Sequence, residues 1–213
     1  MVKTGARAAV LERLLVTAGY RPAARPPPPR LESLTADSCE SVINLYRALG
    51  GPSDVPRLRP GAWDLSFDDG LVVELDEELH FNRYRGQTLD AASAARLPWR
   101  DDYAEFCSRH EPACLAAGRW GSRWSTPSSA ALFGASDPPG VFGTGGSARW
   151  KQRALYDAAK DIWCADGQIR LARVSVHDLG VSQLLGRTLH GVADGPELER
   201  LARLVRDRSF QGG

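Results

Sequence analysis

The stretch from residue 63 to 81 constrains the fold more than any other part of the chain, because its apolar and polar residues alternate. Alternation with a period of two is typical of β-strands whose two faces meet different surroundings. An Asp-Asp-Gly turn interrupts the pattern at 68–70. A three-residue loop with Gly70 in the left-handed conformation pairs Phe67 with Leu71. The stretch therefore predicts an antiparallel β-hairpin.

The register of this hairpin decides where its carboxylates point. With the three-residue loop, Asp64 lies opposite Glu74 and both share a face with Asp76. The opposite face carries Leu65, Phe67, Leu71, Val73 and Leu75. A two-residue turn would instead place Asp64 on the apolar face, where an unpaired carboxylate is costly to bury. Three neighbouring carboxylates raise each other's pKa unless a positive charge lies among them. We therefore expect Asp64, Glu74 and Asp76 to bind a divalent cation, Mg²⁺ or Mn²⁺.

The residues around these carboxylates form a motif. Val72-Val73-Glu74-Leu75-Asp76 is followed, after three residues, by His80. This run resembles the core of the PD-(D/E)xK restriction-endonuclease-like superfamily, nearest the very-short-patch-repair endonuclease-like branch. The resemblance implies a central mixed sheet flanked by helices and metal-dependent cleavage of DNA. It also implies that the three carboxylates surround the metal and that His80 transfers a proton.

The motif departs from the superfamily pattern at two positions. Asp76 stands where the superfamily most often has lysine, and Glu77 stands where glycine is usual. His80, Lys151 or the metal alone would then have to perform the role of that lysine. A catalytically inactive module that binds nucleic acid or a protein partner is therefore an alternative. A solvated acidic face, balanced by nearby arginines, is another.

Basic residues near the motif and on a later predicted helix are candidates for phosphate contact, because cationic side chains bind nucleic acid through its backbone. The expected contacts are Arg83, Arg85, Arg149, Lys151, Gln152 and Arg153. In the alternative interpretation, the helix face is solvated and Asp157 pairs with Arg153 and Lys160, its neighbours at four and three residues.

The remaining pattern predicts an α/β domain at 31–213, preceded at 1–30 by an extra N-terminal helix and a proline-rich connector. Helices are expected at 6–18, 35–50, 88–97, 101–117, 148–163, 181–190 and 194–208, and a further strand at 169–176. Residues 121–147, rich in Gly, Pro and Ser, predict a long loop inside a helical insertion. The fold class is therefore α/β, with a restriction-endonuclease-like core.

The composition bears on the location of the protein and on the partners that it can bind. The net charge of +1 provides no global attraction to nucleic acid, so DNA would have to be held by a local patch. Four cysteines are few for a disulfide scaffold and no apolar stretch could span a bilayer, so we expect a cytoplasmic protein that binds no membrane. An N-terminal transit peptide is the alternative. Cys107, His110 and Cys114 are open to interpretation as zinc ligands or as buried core residues. A protein partner or a second copy of the chain is left open.

Overall fold

The computed structural model of the protein describes residues 5–188 and 194–213, except for the side chains of residues 187 and 188. Its helices are α1 (Ala6–Thr17), α2 (Ala36–Ala48), α3 (Arg83–Leu89), α4 (Arg100–Gly118), α5 (Pro127–Phe133), α6 (Ala148–Ala165), α7 (Val181–Thr188) and α8 (Gly195–Asp207). Its strands are β1 (Leu65–Ser66), β2 (Leu71–Asp76) and β3 (Arg170–Ser175). None of the described helices is both long and apolar enough to cross a membrane.

The three strands form one small mixed sheet in the order β1-β2-β3. Strand β1 is antiparallel to β2, and β3 is parallel to it. A parallel pair needs a long crossover connection, which is supplied here by the helices α3 to α6. The predicted α/β class, with a mixed sheet flanked by helices, is confirmed.

The hairpin has the predicted register. Leu65 pairs with Val73, and the backbone N–H of Phe67 donates to the carbonyl of Leu71 at 2.9 Å. Gly70 has a φ of 80°, the left-handed conformation that the three-residue loop requires. The turn chemistry therefore sorts the apolar and acidic residues onto opposite faces, as the sequence predicted.

The apolar face of the sheet packs against helices α1, α7 and α8. Leu11 and Leu15 of α1 are fully buried in this core, so the N-terminal helix belongs to the same packed unit as the sheet. The connector after α1 runs along the hairpin, where the N–H of Ala23 donates to the carbonyl of Ser66 at 2.8 Å. These backbone bonds attach the N-terminal segment to the edge of the sheet.

Helix α6 lies across the other face of the sheet and contacts α2, α3 and α5. It begins at the predicted place because the hydroxyl of Ser147 accepts a hydrogen bond from the N–H of Trp150 at 3.2 Å. The predictions of a helix at 148–163 and a strand at 169–176 are both confirmed. These two elements and the hairpin surround the acidic residues.

Two predicted boundaries differ from the structure. The helix expected at 88–97 is wrong over most of its range, since α3 ends at Leu89 and only a short 3-10 turn, Ala92–Ala94, follows it. Helix α3 begins at Arg83 because the Asn82 side chain accepts from the N–H groups of Tyr84 and Arg85. The long loop expected at 121–147 contains α5, which has a capping box at Thr126 and a proline in its first turn. The last two residues of the helix predicted at 181–190 lie outside the described residues.

Candidate functional site

The three predicted carboxylates lie on the side of the hairpin that faces helix α6. Glu74 and Asp76 are buried, whereas Asp64 is partly exposed. Asp64 accepts a hydrogen bond from the N–H of Leu75 at 2.9 Å, and its own N–H donates to Glu74 Oε1 at 3.0 Å. Two of the three side chains are thus held in place by the hairpin backbone.

Glu74 forms a buried ion pair with a lysine of α6. Its Oε2 lies 2.7 Å from Lys160 Nζ, which also donates to the carbonyl of Ala62 at 3.3 Å. Burial raises the pKa of Glu74 to about 7, although the attraction of Lys160 acts in the opposite direction. An acid with a pKa near neutrality can both accept and return a proton under ordinary conditions. Lys160 also brings to the centre the ammonium group that the hairpin motif lacks.

Arg173 of β3 lies at the middle of the site with no exposed surface. Its Nη1 contacts both carboxylate oxygens of Asp76, at 3.0 and 2.9 Å, and its Nε donates to Asp161 at 2.6 Å. Arg85 Nη2 reaches the other oxygen of Asp161 at 2.7 Å. Burial alone would raise the pKa of Asp76, but the nearby Arg173 and His80 hold it well below its usual range. Asp76 is therefore ionised within a fixed network.

Among the described residues, Asp76, His80 and Asp157 form a group that could hold a metal ion, since one ligand atom from each lies within 4.8 Å of the others. His80 Nδ1 lies 2.8 Å from Asp157 Oδ2 and 3.1 Å from Asp76 Oδ1. Burial lowers the pKa of His80, but the two carboxylates outweigh it and raise the pKa to about 9. The imidazole is thus protonated at neutral pH, and its proton occupies the place that a metal ion would take.

The donor set fits a divalent cation that accepts both oxygen and nitrogen. Carboxylates suit Mg²⁺ and Mn²⁺, whereas imidazole favours the later, softer metals, so this mixed set favours Mn²⁺ over Mg²⁺. Arg173 already neutralises part of the charge of Asp76 and competes with such a cation. His80, with 24% of its side chain exposed, is the point at which solvent reaches the group.

The group includes only part of the predicted ligand set. Of the predicted ligands Asp64, Glu74 and Asp76, it contains only Asp76. It adds Asp157 and His80, and His80 had been predicted to transfer a proton. The alternative interpretation paired Asp157 with basic neighbours on its own helix, whereas in the structure Asp157 contacts His80. The ligands that meet here therefore come from the strand, the turn after it and helix α6.

Two of the predicted phosphate contacts, Arg85 and Lys151, have buried side chains that bind protein acceptors. Arg85 is 1% exposed and binds Asp161. Lys151 is 5% exposed, and its Nζ donates to the carbonyl of Thr144 at 3.3 Å. Burial among protein acceptors leaves neither side chain able to meet a nucleic acid in this conformation.

The other predicted phosphate contacts lie nearer the surface or beside a cleft. Arg83 is exposed but forms an ion pair with Glu111. Arg153 is partly exposed and donates to the carbonyl of Leu79 at 2.9 Å. Arg149 and Gln152 line a cleft at the start of α6.

The cysteine and histidine residues considered as zinc ligands lie apart from the metal-binding group. Cys107 and Cys114 are buried, and burial raises the pKa of each thiol to about 12, so both stay protonated. The His110 ring stacks on His177, with ring centroids 3.7 Å apart. Within the described residues, the metal-binding group includes none of the three proposed zinc ligands.

Four charged residues were not predicted as site residues, although the sequence contains a signal for them. Asp157, Lys160 and Asp161 lie near small alanines on α6, and Arg173 lies between the apolar residues Ala172 and Val174 in β3. Charged residues in such surroundings are rarely buried unless they are paired. Oppositely charged interruptions in two adjacent buried elements therefore indicate mutual pairing.

Comparison with known proteins gives one result for this chain. No curated protein and no solved structure matches it. One family model matches residues 44–191, which is more than half of the chain and includes the hairpin, α6 and β3. The chain therefore belongs to a family of unknown function, DUF7255.

Proposed function

We propose that the protein is a metal-dependent hydrolase of DNA phosphodiester bonds, built on a restriction-endonuclease-like core. The observation that supports this most directly is the convergence of Asp76, His80 and Asp157 beside the pair formed by Glu74 and Lys160. The mixed sheet and the hairpin that carries the acidic residues are consistent with such a core.

Each residue of the site has a role in this proposal. Asp76, His80 and Asp157 would hold a divalent cation in place of the His80 proton, and the cation would supply charge stabilisation for a phosphoryl oxygen and lower the pKa of a water molecule. Glu74 would act as the general base, because its pKa of about 7 matches neutral conditions. Lys160 orients the Glu74 carboxylate at 2.7 Å. Arg173 holds the Asp76 carboxylate in place through contacts with both of its oxygens.

A second candidate is a non-catalytic member of the same fold that binds nucleic acid or a protein. The contact between Arg173 and both oxygens of Asp76 favours it, because a carboxylate already paired with a buried cation has less to gain from a metal. In this alternative the ionic network only positions the sheet and α6.

DNA cleavage in the presence of Mn²⁺ or Mg²⁺ separates the two candidates. The substrates are linear, circular and single-stranded DNA, and the variants are Glu74→Gln and Asp157→Asn. Glu40→Gln, which changes an exposed glutamate on α2, is the matched control. We expect cutting by the wild type and the control, and none by the two site variants.

Thermal unfolding with and without Mn²⁺ completes the test. A cation that binds only the folded state raises the melting temperature, and Asp157→Asn should remove that rise. If the wild type neither cuts DNA nor gains stability with either metal, the hydrolase proposal is wrong and the binding module is favoured.

A further inference from the structure

A cleft of about 650 Å³ lies between α2, the segment that follows it, α5 and the first turns of α6. Arg57, Arg59 and Arg149 line it, and none of its lining residues is acidic. We call it the arginine cleft. A concave site with three cations and no carboxylate is an electrostatic trap for an anion.

The three arginines are free of carboxylate partners within the described part of the chain, where every ion pair involves other basic residues. Arg57 and Arg59 are exposed, and Arg149 donates to Gln152 Oε1 at 2.5 Å. Other arginines near the sheet are neutralised by aspartates. The cationic charge of the cleft thus remains available to a ligand.

One wall of the arginine cleft consists of hydrogen-bonded side chains and provides a further donor, the Tyr156 hydroxyl. Tyr156 Oη accepts from Gln152 Nε2 at 3.3 Å and from the N–H of Arg59 at 3.4 Å. No described residue accepts the Tyr156 hydroxyl proton, which is therefore left for an acceptor in the cleft. Gln152 is only 2% exposed and is held between Arg149 and Tyr156. The Arg149 guanidinium and the Tyr156 hydroxyl are thus positioned before any ligand arrives, which lowers the entropic cost of binding.

We propose that the arginine cleft binds the phosphate group of a nucleotide, either free or at the end of a nucleic-acid strand. Guanidinium groups match phosphate oxygens in geometry as well as in charge. The volume of the cleft suits a nucleotide-sized ligand. Val55 and Leu132 provide apolar wall beside the arginines, against which a base can pack. Phosphate binding at this cleft requires neither a metal nor catalysis.

The position of the cleft relates it to the acidic site. Arg59 precedes Asp64 by a short segment whose Ala62 carbonyl binds Lys160, and α6 carries both Arg149 and Lys160. A strand whose end is held in the cleft would therefore have the acidic residues along the same helix.

Isothermal titration calorimetry in EDTA tests the inference without catalysis. The probes are adenosine 5′-monophosphate, adenosine, and one single-stranded oligonucleotide with either a 5′-phosphate or a 5′-hydroxyl. The variants are Arg57→Gln, Arg59→Gln and Arg149→Gln, and Arg13→Gln, an exposed arginine on α1, is the matched control. We expect the phosphorylated probes to bind and their unphosphorylated counterparts to bind much more weakly. Each cleft variant should weaken binding by roughly tenfold or more, and the control should not.

A site for a free nucleotide and a site for a strand end predict different orders of affinity among the probes. Equal affinity for the monophosphate and the phosphorylated strand indicates a free nucleotide, whereas tighter binding of the strand indicates a strand end. The inference is overturned if adenosine binds as well as its monophosphate, or if the cleft variants bind like the wild type. Phosphate binding without DNA cleavage would uphold the cleft and count against the hydrolase, so the two failures are distinguishable.

Discussion

Raising the pH from 6.5 to 9 should weaken the fold, because it removes the proton that His80 shares with Asp76 and Asp157. The ring nitrogen that carries this proton lies 2.8 and 3.1 Å from the two carboxylates. Their attraction raises the pKa of His80 from 6.5 in the unfolded chain to about 9. The folded protein therefore holds the proton more tightly than the unfolded chain does.

The size of the effect follows from the two pKa values. A rise from 6.5 to about 9 corresponds to roughly 3 kcal/mol of folding free energy. This contribution is complete below pH 6.5 and is lost as the pH rises through 9, since the neutral ring no longer bridges the carboxylates. The His80 side chain is 24% exposed, so solvent screens the interaction and roughly 3 kcal/mol is an upper limit.

Urea unfolding at pH 6, 7, 8 and 9, in buffers that contain EDTA, measures this loss. The His80→Gln variant should lack this loss and keep only a smaller one between pH 6 and 7, because burial also raises the pKa of Glu74 to about 7. His110→Gln should behave like the wild type, because burial lowers the pKa of His110 and its effect on stability falls below pH 6.5. The series stops at pH 9, since the buried thiols titrate above it.

Two results would refute this reasoning. One is a wild-type stability that stays constant between pH 6.5 and 9, and the other is an equal loss in His80→Gln. Either would mean that the two carboxylates do not share a proton with the imidazole. If the group also binds Mn²⁺, saturating metal should reduce the wild-type loss, because the cation replaces the proton.

Two further predictions concern the network and the turn. Arg173→Met should destabilise the protein by roughly 3–5 kcal/mol in urea unfolding, because Asp76 and Asp161 lose their shared buried cation; a cost below about 1 kcal/mol would show that the network contributes little. Gly70→Ala should cost about 1–2 kcal/mol, since φ is 80° there and a side chain strains the left-handed conformation. Gly61→Ala, in open space and without that conformation, should be nearly neutral, and equal costs at both glycines would contradict the assigned turn.

Local chemistry explains what could be predicted. The period of two and the turn at 68–70 were sufficient for the hairpin register, because turn type and loop length determine which residues face each other. The start of α6 followed from the cap at Ser147, which acts within one helical turn. Such features involve residues that are close in the chain.

The sequence by itself determined that acidic residues gather on one face of a hairpin beside a core of apolar residues. The tertiary structure alone decided which cations meet them. Arg173 lies opposite Glu74 because β3 pairs in parallel with β2 after a crossover of many residues, and no local rule specifies that register. The charged stripe of α6 has the same pattern whether it faces water or a sheet. Packing against β2 and β3 made Asp157 and Lys160 part of a buried site instead of a solvated surface.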